Sequence, residues 1–243
     1  MIAHERQGDV AVVTLERAEK RNAMLPEMLD GLRDAIVGIG DARAVVLLGA
    51  GKTFCAGFDL KACAADPGGG TMRSLLTGLG ACVGAMRDCP APIVLGVQGA
   101  AVAGGCALLS GADVVIADRG AKLGYPVVKI GVSPIVSAPF MLSVLHPGVV
   151  RSRLLDPDVV GGDRALELGL VHELVEEPGE VRERAMELGA ALADKPGDGC
   201  MRTKAWVNEI CAVGDERARA GLEGSLGLTG GHEERERLAA LWG

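Results

Sequence analysis

Aromatic side chains are scarce in this chain: Phe, Trp and Tyr together make up 2% of its 243 residues. A recognition surface built on stacked rings is excluded, and with 36 glycines, close-packed backbones and small side chains are expected instead. No basic block interrupts a net charge of −7, which argues against nucleic acid or an anionic membrane as the main partner. The 7 cysteines form no C-x-x-C pair, and no secretory leader precedes "MIAHERQGDV". A reducing cytoplasm without disulfides is the expected setting. His4, His146, His172 and His232 lie far apart and join no H-E-x-x-H or Cys/His set, so a metal centre has no sequence support.

What the chain does contain is a hydrophobic fraction of 49%, enough for a sizeable core in one large domain or one domain plus an appendage. "DVAVVTL", "ARAVVLLGA", "PIVLGV" and "DVVIAD" read as strands. "LPEMLDGLRDAIVGI" places Leu25, Leu29, Leu32, Ile36 and Ile39 on one helical stripe. "CAADPGGGTMRS" reads as a glycine-rich loop ahead of a helical stretch to Asp88. Strands alternating with helices predict an α/β architecture. Past residue 180 the character changes to charged amphipathic helices, "EVRERAMELGAALADK", "GCMRTKAWVNEICAV" and "HEERERLAALWG", without intervening strands. The expected organisation is an α/β core over 1–180 and a helical region over 181–243, whose apolar faces pack on a neighbouring subunit or back on their own core.

Two stretches invite other readings. "GAGKT" resembles the end of an ATP-binding phosphate loop, but counting that pattern back from Gly51 reaches Val46 where a glycine is required, so the wrapping loop is too short. Ile93 to Ala112 carries no charge over a length that could span a bilayer. Its glycines and Gln98 fit a buried strand, a tight turn and a buried helix better.

Several motifs, in order, resemble the enoyl-CoA hydratase/isomerase (crotonase) superfamily along nearly the whole chain. "VTLERAEKRNAM" is similar to the opening strand and Asn-Ala turn, "KTFCAGFDLK" to the first thioester-binding loop, and "VQGAAVAGGCALLSGADVVIAD" to the second loop and its helix. "RALELGLVHELV" is similar to the segment that closes the core. The resemblance implies a superhelix of strand-strand-helix units with a C-terminal helical trimerisation region, assembled as a homotrimer or a dimer of trimers. It implies that the backbone N–H groups of Phe58 and Gly104 form an oxyanion hole for a thioester carbonyl, with Lys52, Ala56 and Lys61 along a coenzyme A. The glycines have a physical reason: Gly104 and Gly105 let an oxygen approach the backbone at a helix start, where free N–H groups favour an enolate.

One part of the pattern is broken. Where hydratases of the family carry two glutamates, this chain has Ala107 and Val127, and near Ile135 no aspartate offers itself as a nucleophile. Adding water or shuttling a proton uses such carboxylates, whereas decarboxylation makes its enolate by losing CO2 and needs only the oxyanion hole and a later proton donor. "VKIGVSPIVSAPFML" and "GGHEERERLAALWG" further resemble decarboxylating crotonase-fold enzymes of polyketide β-branching, which act on a 3-methylglutaconyl thioester of an acyl carrier protein. In them a histidine of the C-terminal tail reaches the active site, which makes His232 the candidate proton donor here. Tyr125, Lys129 and Ser133, in the segment that in the family lines the acyl pocket, are candidate substitute donors or else solvated or hydrogen-bonded loop residues. The expected function is thus an acyl-thioester decarboxylase without a prosthetic group, its substrate carried on coenzyme A or phosphopantetheine. The alternatives are an enoyl-CoA hydratase/isomerase with unusual acid/base groups and a catalytically silent thioester-binding trimer.

Overall fold

The computed structural model describes residues 1–156, 158–211 and 213–241. The four apolar runs become β2 (Val10–Leu15), β3 (Ala44–Gly49), β4 (Ile93–Val97) and β6 (Val114–Asp118), and with the largely polar β1 (Ile2–Gln7) and the short β9 (Glu173–Val175) they form one sheet in the order β1-β2-β3-β4-β6-β9. β5 (Ala100–Val102), β7 (Lys122–Gly124) and β8 (Val160–Gly161) form a smaller sheet beside it. β1 and β2 make an antiparallel hairpin, and the remaining pairings of the large sheet are parallel. Parallel strands covered on both faces bury both sets of side chains, which explains why β2, β3 and β4 read as unbroken apolar runs instead of alternating ones.

Four helices interleave with the first strands: α1 (Pro26–Val37), α2 (Leu60–Ala64), α3 (Gly70–Asp88) and α4 (Gly104–Ala107). α5 (Ala138–Leu142), α6 (Pro147–Leu155) and α7 (Gly162–Glu167) fill the stretch between β7 and β9. The chain closes with α8 (Glu180–Ala193), α9 (Gly197–Ile210), α10 (Asp215–Leu226) and α11 (His232–Ala240). One face of the large sheet, including Val13, Leu47 and Leu95, shares a core with α1 and α3. In α1 that core takes Met28, Leu29, Leu32 and Ile36, and Ile39 is buried just past the helix end.

The opposite face, with Val12, Val46 and Val94, is covered by α8 through Ala185 and Ala193. Gly189 permits the close approach, since a Cβ there would lie 2.6 Å from Val46 Cγ2. The organisation expected from the sequence places its boundary at residue 180, where α8 begins. This helix packs on the sheet, whereas α9, α10 and α11 pack on α3, on the 134–137 turn with α5, and on α2 with the 126–130 turn.

The structure departs from the sequence reading in several places, and β1, β9 and the helices α5 to α7 are among the elements that reading did not assign. α3 begins at Gly70, inside the expected loop, because Asp66 caps it: Oδ2 accepts from Thr71 N at 2.7 Å and Thr71 Oγ1 at 3.0 Å, and Oδ1 from Gly68 N at 3.2 Å. α10 forms a separate helix that the reading did not distinguish. β5, β7 and β8 are too short for a two-residue period to show. The segment Ile93 to Ala112 becomes β4, β5, α4 and a 3-10 turn at Leu108–Gly111. Among the described residues no helix is long and apolar enough to cross a membrane.

Candidate active site

The site is built from two backbone segments pinned side by side, and the pinning starts at Asn22. Its φ of +53° is left-handed, a conformation asparagine tolerates better than most residues. Its buried Nδ2 donates to the carbonyls of Ala50 (2.9 Å), Thr53 (2.9 Å) and Phe54 (3.0 Å), while Oδ1 accepts from Arg17 N at 2.8 Å. The "GAGKT" turn is thereby tied to the end of the first hairpin.

Beyond it the chain zips against residues 21–24: Ala56 N donates to Arg21 O (3.0 Å), Met24 N to Gly57 O (2.7 Å) and Asp59 N to Met24 O (2.9 Å). Alternation along this extended stretch leaves the N–H of Phe58 pointing away from that partner. On the other side, Cys55 N donates to Ala100 O (3.1 Å) and Val102 N to Cys55 O (3.0 Å), which lays β5 alongside.

The second segment then turns sharply into α4. Ala103 N donates to Gly124 O at 2.8 Å, and Ala103 itself sits at φ +53°, ψ −118°, a conformation that costs an L-residue on the order of 1–3 kcal/mol. That strained turn delivers the N–H of Gly104. A Cβ on Gly104 would lie 2.7 Å from Met24 Cε and 2.8 Å from Phe58 Cε1, and one on Gly57 (φ +95°) would lie 3.0 Å from Val102 O. The segments are therefore in contact, and neither Phe58 N–H nor Gly104 N–H has an acceptor among the described residues.

Both residues line a cavity of about 280 Å3 whose walls are mainly apolar, with Leu60, Met72, Leu76, Ile130 and Val136. Ala56 lines it too. No carboxylate does so among the described residues: Val127 is part of the wall, and Ala107 is buried without reaching the lining. Of the candidate donors, Lys129 is exposed and pairs with Asp158 at 3.3 Å. Ser133 Oγ accepts from Ile135 N at 3.4 Å, and its carbonyl accepts from Ser225 Oγ at 3.0 Å. Tyr125 differs from both. It is buried, its hydroxyl has no hydrogen-bond partner among the described residues, and burial, then the adjacent Cys106 thiol, pushes its phenol well above the ordinary range. It is therefore held in its neutral, protonated form.

The first loop is further held by Arg17, whose Nη1 lies 2.8 Å from Asp59 Oδ2 and 2.7 Å from Ala23 O. Asp59 Oδ1 caps α2 by accepting from Ala62 N at 3.1 Å. Burial opposes ionisation of Asp59, but the Arg17 hydrogen bond and the backbone donors together bring its carboxyl below the usual range. An unfolded aspartate titrates near about 3.9. Its stabilising contribution is thus complete above about pH 4 and drains away as pH falls through the lower folded value. Asp59→Asn should remove that component, and urea titrations across pH 5 to about pH 2.5 should show a shallower acid decline than in the parent. An unchanged slope would mean that the ion pair is too solvated to matter.

Phe58, Gly104 and Ala56 are thus brought together. Lys52, in the turn after β3, and Lys61, in α2, are exposed beside the first loop and do not line the cavity. His232 is not brought to it either. It is the exposed first residue of α11, with Nδ1 3.4 Å from Glu236 Oε2. The reason is rotational: α11 turns Glu234 and Leu238, one turn apart, inward, and His232 is off that stripe. Leu241, just past the same helix, does reach the cavity.

Glu234 escaped the sequence reading. It is buried, Oε2 accepts from Gly230 N, and Oε1 has no partner among the described residues. It faces a neighbouring cavity of about 200 Å3 that shares Met72 with the first. Its i,i+4 spacing with Leu238 was the available signal. Among the described residues no group of three or more His, Cys, Asp or Glu assembles to hold a metal ion.

Comparison with known proteins places this geometry in context. The profile of a family described as enoyl-CoA hydratase/isomerase matches residues 5–229. A probable enoyl-CoA hydratase of Mycobacterium tuberculosis is 34% identical over 212 residues, covering 84% of this chain and 80% of its own length. The crotonyl-CoA hydratase of Syntrophomonas wolfei is 29% identical over 235 residues, covering 92% and 87%. The crystal structure of an enoyl-CoA hydratase/isomerase from Xanthobacter autotrophicus Py2 superposes with a TM-score of 0.88 at 28% identity, covering 98% of this chain and 91% of that one.

Proposed function

This chain belongs to the enoyl-CoA hydratase/isomerase family and has its crotonase fold, and from that premise we propose that it binds an acyl thioester with the carbonyl oxygen between Phe58 N–H and Gly104 N–H and stabilises the enolate formed there. The observation that carries this reading is the adjacency of two acceptor-free backbone donors in the wall of a mainly apolar cavity. Developing negative charge on the oxygen makes both hydrogen bonds stronger than in the ground state, and one such donor is worth about 2.7–4 kcal/mol where it has been removed. Lys52 and Lys61 are exposed on either side of Ala56 in the first loop, in keeping with a role of all three along the adenine and phosphate parts of a coenzyme A.

Hydration or isomerisation of an enoyl-CoA is the reaction that the names of the relatives support. Decarboxylation of a 3-methylglutaconyl-type thioester, on coenzyme A or a carrier protein, is a second reading, favoured by one observation: among the described residues no carboxylate lines the cavity. Without one, water has no base to activate it, and a carboxylated acyl group meets no like charge.

Purified protein incubated with crotonyl-CoA and with 3-methylglutaconyl thioesters, followed by mass, separates the readings. A gain of one water marks hydration and a loss of carbon dioxide marks decarboxylation. Binding without change marks a silent thioester carrier. Failure to bind any thioester would sink the proposal. Exposed Trp206, Val207 and Ile210 leave α9 with an apolar edge consistent with a trimeric assembly, which light scattering would test.

A further inference from the structure

The turn between β3 and the first loop presents its carbonyls to two buried side-chain amides from different parts of the chain. Asn22 takes those of Ala50, Thr53 and Phe54. Gln98, which is 8% exposed, takes those of Gly49 and, at 3.2 Å, Gly51, with Nε2 as the donor. Gln98 follows β4 directly and leads through β5 to Gly104. Its amide therefore ties the segment that carries one oxyanion donor to the turn that runs into the other.

The main chain of Gln98 makes the same connection. Its carbonyl accepts from Phe54 N at 2.9 Å, the first rung of a ladder that continues from Cys55 N to Ala100 O and from Val102 N to Cys55 O. The same carbonyl accepts from Ala100 N at 2.7 Å and closes a γ-turn about Gly99, whose φ of +68° marks the rarer, strained form. A Cβ on Gly99 would lie 2.2 Å from Lys52 O, so the two turns meet backbone to backbone. From the far side the buried Asp118 accepts from Gly99 N through Oδ2 at 2.6 Å. Asp118 thus fixes the γ-turn to β6, and Gln98 fixes it to the first loop.

We propose that Gln98 is a positioning residue for the oxyanion hole: by clamping the β4–β5 turn to the turn after β3, its amide sets how far apart the N–H groups of Phe58 and Gly104 stand. The inference rests on the enolate reading above. Two donors share one oxygen only at a fixed separation, and a misplacement on the order of 1 Å can cost about 10²-fold in rate. Gln98 does not line the acyl cavity but a separate surface groove, together with Gly49 and Gly51. Its effect on the substrate passes through the backbone.

Infrared difference spectra of bound butyryl-CoA, saturated and labelled with carbon-13 at the carbonyl, read the hole without any reaction. In the parent, two donors on the oxygen should lower the carbonyl band below that of the free thioester. Gln98→Met keeps the reach of the side chain and removes the donor. Its band should move back towards the free value, and kcat on the thioester that the parent converts should fall roughly 10- to 10²-fold with KM near parental.

Gln98→Glu instead aims a carboxylate at two carbonyls, and at about pH 8 it should lose more than Gln98→Met. Burial and those carbonyls raise the new carboxyl above the usual value of about 4.3, so by about pH 5 it takes a proton, donates again and restores the band. A side chain that merely stabilised the fold would lower the melting temperature without moving the band of the folded, ligand-bound enzyme or giving recovery in acid.

A folded Gln98→Met enzyme with parental band and kcat overturns the proposal. Should that variant not fold, a Gln98→Glu band identical at both pH values overturns it instead. A parent whose bound carbonyl absorbs where the free thioester does defeats the oxyanion reading itself, and the positioning with it; a shifted parental band that is indifferent to Gln98 defeats the positioning alone.

Discussion

Gly104→Pro should lose roughly 10²–10³-fold in kcat, because it deletes one of two backbone donors, and its ring also brings a Cβ against Met24 and Phe58, which the alanine variant below controls for. The position is the first residue of α4, where proline is tolerated since that N–H has no helical acceptor. The preceding residue is the difficulty. Ala103 holds a backbone conformation disfavoured before proline, so a thermal melt must accompany the kinetics.

Gly104→Ala is the informative companion. It keeps the N–H but drives a Cβ to 2.7 Å from Met24 Cε and 2.8 Å from Phe58 Cε1, displacing the side chain of the residue that carries the other donor. Its kcat should fall less than that of the proline variant, while its stability drops by on the order of 1–3 kcal/mol. Binding is measured with a saturated acyl-CoA that cannot react. A folded proline variant with parental kcat would remove Gly104 N–H from the mechanism.

The second large effect concerns stability. Asn22→Ala should lose about 3–5 kcal/mol in urea unfolding, since it strips partners from three carbonyls and one N–H, at about 1–3 kcal/mol for each group that stays dry. It also leaves an alanine at φ +53°, a further cost of about 1–2 kcal/mol. Rehydration of the partly exposed 50–53 turn keeps the total below the simple sum. Asn22→Gly tolerates the φ but not the lost hydrogen bonds, so it should lie between the parent and Asn22→Ala. Activity should fall alongside, because the loop anchored by Asn22 continues directly into Cys55 and Phe58. A loss under about 1 kcal/mol would show that the anchoring bonds are replaced by water.

The parts legible in the sequence are those whose physics is local. β2, β3, β4 and β6 stand out because strands buried on both faces need apolar residues throughout. The loop from Cys55 to Phe58 and the Gly104–Gly105 pair stand out because close backbone approach forbids a Cβ, as the contacts of Gly57, Gly104 and Gly105 show. What could not be read depends on distant partners. Asn22 looks like an ordinary turn residue until its carbonyls arrive from residues 50–54. The amphipathic pattern of α8 leaves open whether its apolar face packs on a neighbouring subunit or on its own core, and only the structure shows Ala185, Gly189 and Ala193, spaced by four, laid on the sheet. His232 and Glu234 are two residues apart in one helix. Which of them faces inward is decided by the rotation of α11 on the 126–130 turn, and the spacing of Glu234 with Leu238 is the one local hint of it.

The strained alanine at 103 bears on how such a site changes over time. On the proposed reading, grip on a thioester oxygen would be written in peptide groups, which no exchange of side-chain type erases, whereas acid and base chemistry has to come from replaceable side chains, which positions 107 and 127 do not supply here. The two properties can therefore drift independently. A protein of this design is free to give up one reaction and acquire another while the hold on its substrate's carbonyl persists unbroken.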